Sequence, residues 1–198
     1  MIDAHPAFEA PFMKRNFSRV NFGWWGFWEP GALIRGTKTI GVQPDMWEYG
    51  TSKAAAWDSP ISIQMNLKAL DAHPRTDDIL EVMRRWEDVR AKKWLTPEQK
   101  ERIRASRNGF HLYLNEKGGY ELCEIEMLPT PTQAKDVRAF LFERNGKRTV
   151  AYWHMSGSGR LAVALGGKDE VALDRLRYLE TSLPRAEVKA VWAKAVER

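Results

Sequence analysis

Hydrophobic and polar positions follow two different patterns along the chain, and the change falls near residue 107. Before this point, short apolar runs alternate with amphipathic segments of helical period. After it, apolar and polar residues alternate over short runs that are separated by tight turns, as in antiparallel strands. The pattern therefore predicts two domains, an α/β segment over residues 1–107 and an all-β segment over residues 108–198.

The first segment is predicted to alternate strands with helices. Its strands are expected at residues 19–25, 37–42 and 60–66, and its helices at residues 44–57, from an N-cap at Thr76 and from an N-cap at Thr96. The helix after Thr76 has apolar residues from Ile79 to Val89 at steps of three and four, which share one face. This order predicts a parallel sheet with helices outside it. Two or three strands cannot close a barrel, so we expect an exposed sheet edge.

The second segment is predicted to be an antiparallel β-sandwich followed by a helix. Its strands are expected at residues 110–116, 120–127, 137–143, 149–154 and 161–165, and its helix at about 184–196. Asn145-Gly146 between two alternating runs is the strongest hairpin signal, because both residues accept positive φ. The predicted fold class is thus α/β plus all-β.

Tryptophan is concentrated near the N-terminus. Five of the nine tryptophans lie in the first 57 residues, and Trp24, Trp25 and Trp28 precede Glu29 within residues 23–30. Adjacent side chains of an extended run point to opposite faces, so these rings enter one core only if both faces are covered. Flat indoles beside a carboxylate and glycines suit stacking on sugar rings. Burial in a core is the competing interpretation.

Composition narrows the classes of function. The 43% hydrophobic and 29% charged residues are ordinary for a globular protein. The net charge of +5 is spread among acidic residues, so no nucleic-acid partner is expected. No apolar run approaches the roughly 18 residues of a membrane span, and no signal peptide is visible. Cys123 is the single cysteine, and no Cys/His set has zinc spacing, so neither metal nor cofactor is expected.

Several stretches of the sequence are similar to a known group of proteins. They are residues 41–58, 85–90, 140–147, 152–154 and 177–179. These stretches resemble the late barrel region and the accessory domain of glycoside-hydrolase-like proteins that carry a (β/α)8 TIM barrel followed by a C-terminal β-sandwich. The resemblance implies that the chain corresponds to the last two or three βα units plus the sandwich. About five earlier barrel units have no counterpart, so Met1 would be an internal or shortened start.

The resemblance also implies a reaction, the hydrolysis of a glycosidic bond by two carboxyl groups. Barrel enzymes place such groups at the carboxyl ends of their strands, which selects Glu29 and Asp45 as candidate catalytic acids. The expected ligand is an oligo- or polysaccharide. Its candidate contacts are Trp24, Trp25, Trp28, Gln64 and Asn66.

Each candidate has a competing structural interpretation. Glu29 can be a solvated loop acid. Asp45 and Glu48 suit the positive end of the helix that starts at residue 44. Gln64 and Asn66 share one face of a strand, and one of them can serve only to satisfy buried backbone.

Two other classes of function stay open. One is a non-catalytic carbohydrate-binding module. The other is a structural protein that pairs through its exposed sheet edge with another copy or with a missing barrel half. His111 and His154 are predicted to be structural, because no nucleophile or orienting acid can be assigned beside them. The cellular location stays open, since a longer relative could be secreted or periplasmic.

Overall fold

The computed structural model describes residues 24–198, without the side chain of Trp24. Most of the strand predicted at 19–25 and the predicted sugar contact through the Trp24 ring therefore lie outside the described residues. The described helices are α1 (Pro44–Ala56), α2 (Leu67–Ala72), α3 (Thr76–Ala91), α4 (Pro97–Ala105) and α5 (Arg185–Trp192). The described strands are β1 (Trp24–Gly26), β2 (Leu33–Ile34), β3 (Thr37–Lys38), β4 (Ser62–Gln64), β5 (Phe110–Leu114), β6 (Tyr120–Glu124), β7 (Glu126–Met127), β8 (Val137–Arg144), β9 (Lys147–His154), β10 (Arg160–Leu165), β11 (Lys168–Ala172), β12 (Arg177–Thr181) and β13 (Val196–Glu197).

Strands β1 and β4 form a two-stranded parallel sheet. Trp24 pairs with Ser62, and Gly26 pairs with Gln64. Helix α1 lies between the two strands along the chain and contacts α3. The parallel pairing predicted from the order of elements is confirmed. Within residues 24–198 the sheets are small and none closes into a barrel, so the structure is a mixed fold of helices and sheets.

The strands that follow residue 107 pair in antiparallel fashion, as predicted. They form a hairpin of β5 and β6, a four-stranded sheet in the order β12-β9-β8-β7, and a three-stranded sheet in the order β11-β10-β13. Asn145 and Gly146 join β8 to β9 with φ values of 48° and 72°, as the hairpin signal predicts.

The four-stranded sheet is buried on both faces. Successive side chains of β8 point to opposite faces of the sheet, and each face contributes to a different hydrophobic cluster. Leu141 belongs to the cluster that β8 and β9 share with β10, β11 and α5. Phe140, Phe142 and Trp153 point the other way and form a second cluster with Cys123 and Ile125 of the β6 region. The sheet is therefore the middle layer of the second half of the chain.

Helix α3 buries the apolar face that the sequence predicts, but it begins one residue earlier than predicted. Its buried residues are Ile79, Val82, Met83, Trp86 and Val89. Thr76 is the first helical residue, and Arg75 occupies the N-cap. The Thr76 hydroxyl donates backward to the carbonyls of Leu70 and His73 at 2.6 and 3.0 Å, which explains why it does not cap. The predicted capping box of Thr96 and Gln99 at the start of α4 is present.

Helix α1 is buried almost entirely, including its polar residues. Eleven of its thirteen residues are buried. The Lys53 ammonium donates to the carbonyls of Ile103 at 2.6 Å and Ser106 at 2.5 Å, where α4 ends. A cation at the carbonyl end of a helix is favourable, because those carbonyls lack partners within the helix.

Gly50 lies in the middle of α1 directly against the indole of Trp25. A Cβ built on Gly50 would overlap the six-membered ring of that indole. Alanine in a helix interior is normally about 1 kcal/mol better than glycine. Here we expect Gly50→Ala to lower the free energy of unfolding by about 1–3 kcal/mol, because the added methyl group overpacks the contact.

The control is the same substitution made in a Trp25→Ala background, where the ring is gone. There Gly50→Ala should be neutral or stabilising by up to about 1 kcal/mol. Urea unfolding of the four proteins measures the coupling. An equal effect of Gly50→Ala in both backgrounds would contradict the close approach of Trp25.

Candidate functional site

The carboxyl ends of β1 and β4 meet at one edge of the parallel sheet, which we call the rim. Trp28 and Glu29 follow β1, while Gln64 and Asn66 end and follow β4. The Phe27 N–H donates to the Gln64 carbonyl at 2.9 Å, and the Val42 N–H donates to the Trp28 carbonyl at 2.9 Å. Backbone hydrogen bonds therefore fix the rim.

Among the side chains that the structure describes, one exposed indole lies at the rim. Trp28 is 46% exposed, and its ring lies against Gly26, where a Cβ would come within 2.5 Å of the indole Nε1. Gln64 is exposed and pairs in the sheet with Gly26, the residue that the Trp28 ring contacts. Trp25 is only half-exposed and contacts the buried Trp47 with 5.6 Å between ring centroids. Trp25 is thus largely part of the core.

Asn66 has a structural partner. Its side-chain oxygen accepts the Lys68 N–H at 3.0 Å and caps α2. Asn66 thus fits the competing structural interpretation, in which one of the two polar residues Gln64 and Asn66 serves to satisfy a backbone hydrogen-bonding group. Asn66 keeps an exposed position at the rim, but its oxygen is already engaged.

The two candidate acids have different surroundings. Glu29 is half-exposed at the rim. Asp45 is 7% exposed, and its two carboxylate oxygens accept hydrogen bonds from Arg138 at 2.9 and 2.7 Å. Asp45 lines a separate cleft of about 400 Å³, and Glu29 is not among the residues of that cleft. The bidentate ion pair gives Asp45 a role in joining α1 to β8.

Glu48 belongs to a buried hydrogen-bond network and does not serve the positive end of α1. Its carboxylate accepts the Trp86 indole N–H at 2.6 Å and contacts His111 Nδ1 at 2.5 Å. His111 Nε2 lies 3.1 Å from the Tyr178 hydroxyl. Glu48 and His111 are each 1% exposed. The carboxylate orients the His111 ring through Nδ1, and Nε2 of the same ring forms the hydrogen bond with the Tyr178 hydroxyl.

Sequence reasoning missed this network. Glu48 was expected to favour the helix N-terminus, and His111 was expected to lack an orienting acid. Sixty-three positions separate the two residues, and no spacing pattern links them. Burial raises the pKa of Tyr178, and the neighbouring Glu48 raises it further, so the phenol stays protonated. The network contains a histidine oriented by an acid, but the phenol beside it is not activated as a nucleophile.

His154 also has an acid beside it. Asp136, His154 and Glu197 place their ligand atoms within 4.8 Å of one another, and His154 Nε2 lies 2.9 Å from Glu197 Oε1. His154 Nδ1 accepts the Ser156 N–H at 3.1 Å, so the ring proton sits on Nε2. A metal bound at Nε2 would move that proton to Nδ1, against the Ser156 N–H. The hydrogen bonds therefore fit a structural pair better than a metal site.

His73 follows the last residue of α2, and both nitrogens of its ring have hydrogen-bond partners in the backbone. Its Nδ1 accepts the Arg75 N–H at 3.0 Å, and its Nε2 donates to the Val42 carbonyl at 2.7 Å. Burial lowers the pKa of His73, and the nearby Arg75 lowers it further, against the opposing effect of the Val42 hydrogen bond. The His73 ring therefore links the start of α3 at Arg75 to Val42, the residue whose N–H is bonded to the rim.

Comparisons with protein-family models, with curated proteins and with solved structures found no match for this chain. Among residues 24–198, no helix combines the length and the apolar character that a bilayer crossing requires.

We expect Glu48→Ala to lower the free energy of unfolding by about 3–5 kcal/mol, because it leaves the Trp86 and His111 N–H groups buried without an acceptor. Glu48→Gln keeps one acceptor oxygen and should cost less. Glu116→Ala, at an exposed position, is the control and should stay within about 0.5 kcal/mol of the wild type. Chemical denaturation measures all three. Equal stability of the Glu48→Ala and Glu116→Ala variants would refute the network.

His73 should make stability depend on pH. The pKa of His73 in the folded state lies below the ordinary 6.5. Just below pH 6.5, the unfolded chain therefore binds a proton at His73, whereas the folded chain does not. The stabilisation is complete above pH 6.5 and is lost as the pH falls toward the folded-state pKa, with a limit of about 1.4 kcal/mol per pH unit. Denaturation of wild type and His73→Gln between about pH 5 and 8 isolates this contribution. Parallel pH profiles would contradict it.

Proposed function

We propose that this chain is a carbohydrate-active protein, related to glycoside hydrolases, that contacts an oligo- or polysaccharide at the rim. The observation that carries the proposal is the exposed indole of Trp28 at the carboxyl end of a parallel strand pair, beside the exposed Gln64. Ligand sites of open α/β sheets lie outside the carboxyl ends of their strands. An indole face removes apolar sugar surface from water, and an amide hydrogen-bonds hydroxyls.

The fold that accompanies this proposal is a partial (β/α) barrel segment followed by an antiparallel β-sandwich. The units β1–α1 and β4–α3 would be consecutive βα units, with α2 inserted in the second. Their parallel pairing supports this arrangement. The two antiparallel sheets that share one apolar cluster support the sandwich.

Sugar binding fits the site better than hydrolysis by this chain alone. Both glycosidase mechanisms need two carboxyl groups on either side of the scissile bond, about 5 Å apart for retention and wider for inversion. Asp45 has both oxygens committed to Arg138. Glu29 is then the remaining candidate acid, and a second one would have to come from further barrel strands. We assign hydrolysis to a longer related barrel and sugar contact to this chain.

Titration with neutral oligosaccharides, followed by calorimetry and tryptophan fluorescence, tests the proposal. The panel should contain β-linked glucose, xylose and mannose oligomers and α-linked glucose oligomers. Trp28→Ala should weaken binding about tenfold or more, which corresponds to about 1.4 kcal/mol of lost contact. Trp94→Ala is the matched control, because Trp94 is 37% exposed and contacts Tyr120 away from the rim.

Two results would redirect the assignment. Turnover of chromogenic glycosides that disappears in Glu29→Gln would make the chain an enzyme. Absence of sugar binding, together with a concentration-dependent dimer, would favour pairing through an edge of the β1–β4 sheet.

A further inference from the structure

A cavity of about 420 Å³ lies between α3 and the segment that leads into β12. We call it the arginine cavity, and its charged lining residues are Asp78, Glu81, Arg85, Lys168, Arg175 and Arg177. Its volume is within the range of sites for small ligands. Trp28, Glu29 and Gln64 do not line it, so it is separate from the rim.

Cations outnumber acids around this cavity by four to two, and both acids are already engaged. Glu81 accepts hydrogen bonds from Arg84 at 2.6 and 2.7 Å and from Arg85 at 2.7 Å. Asp78 accepts the Leu176 N–H at 3.0 Å. Glu81 is thus paired with Arg84 and Arg85, and Asp78 is paired with Arg75 at 3.4 Å, so the two carboxylates do not cancel the charges of Arg175 and Lys168.

Within residues 24–198, two of the four cations are not held by an acid at ion-pair distance, although Asp78 and Asp174 are near enough to interact with the charge of Arg175. Arg177 is held by Asp174 through two hydrogen bonds at 2.7 and 2.9 Å. Arg175 and Lys168 are exposed, and neither forms an ion pair within residues 24–198. Arg175 and Lys168 are brought to the same cavity from the turn before β12 and from β11. Two such cations around one concave space attract an anion.

Buried polar groups line the inner part of the cavity. The almost fully buried His111 reaches it, as does Tyr178, whose hydroxyl is 3.1 Å from His111 Nε2. Arg85 donates to the Leu112 carbonyl at 3.1 Å as well as to Glu81, which fixes its guanidinium in the wall. Rigid donors in a concave site favour a compact ligand over an extended polyanion.

We propose that the arginine cavity binds the oxyanion of a small organic molecule, a phosphate ester or a carboxylate. Arg175 and Lys168 contact the anion, and Arg85, held by Glu81 and the Leu112 carbonyl, forms the wall behind it. Guanidinium groups match phosphate and carboxylate oxygens in bidentate geometry, and an ammonium adds a point charge. This site is independent of sugar binding at the rim, so Trp28→Ala leaves anion binding unchanged.

Calorimetry at a constant ionic strength of about 0.15 M tests the proposal, because this salt concentration screens diffuse attraction. The probes are inorganic phosphate, glucose 6-phosphate, glucuronate and uncharged glucose. We expect saturable binding of at least one anion that persists in the Trp28→Ala variant, whereas that variant should not bind uncharged glucose. The phosphate and glucuronate arms separate the two sources of the oxyanion. Arg175→Gln with Lys168→Gln should weaken the binding tenfold or more, about 1.4 kcal/mol.

The matched control is Arg107→Gln with Lys135→Gln, which removes the same two residue types and the same net charge. Both residues are exposed and neither lines the arginine cavity. This control should bind like the wild type. The proposal is overturned if no anion saturates by about 10 mM, a weak affinity near 3 kcal/mol. It is also overturned if the control loses as much affinity as the cavity variant, since binding would then follow net charge alone.

Discussion

The burial of helix α1 on nearly every side is the constraint on which the rest of the structure depends. A buried polar group costs free energy unless it has a partner, and α1 buries Asp45, Glu48 and Lys53 within thirteen residues. Each of these three finds its partner in a different element. Asp45 binds Arg138 of β8, Glu48 binds Trp86 of α3 and His111 of β5, and Lys53 binds carbonyls at and just beyond the end of α4. Displacing any of these elements would leave a charge unpaired in the interior.

The same helix links the two halves of the chain at its first turn. Gln43 precedes α1 and accepts the Trp153 indole N–H at 2.9 Å, while its own amide donates to the Met155 carbonyl at 3.2 Å. Trp153 belongs to the face of the middle sheet that turns toward β6. Hydrogen bonds between buried groups therefore cross the boundary near residue 107 that the hydrophobic pattern suggests.

Local chemistry made some elements predictable. The capping box at Thr96, the apolar face of α3 and the turn at Asn145-Gly146 each depend on residues within a few positions of one another. The parallel pairing of β1 with β4 followed from the order of elements. Short or irregular strands were harder. β2, β11 and β13 lack a distinct alternating pattern, and Gly166-Gly167 turns β10 into β11 with φ values of 63° and 70°.

The candidate site was predicted less completely, and the reason is again physical. Strand ends could be located, so the rim residues Trp28, Glu29 and Gln64 were named. Which acids are free could not be inferred, because the guanidinium that binds Asp45 lies 93 positions away, and the histidine that binds Glu48 lies 63 positions away. A helix buried on every side shows no amphipathic stripe, so its polar residues resemble surface residues in the sequence.

The wide separation of these partners also bears on how the protein is made. A ribosome releases α1 long before it releases Arg138, Trp153 and Tyr178, so the nascent helix emerges with its carboxylates unmatched. Contacts of such long range are slow to form, because a large loop must close first. The first half of the chain therefore completes its packing only after β8 and β9 have been synthesised.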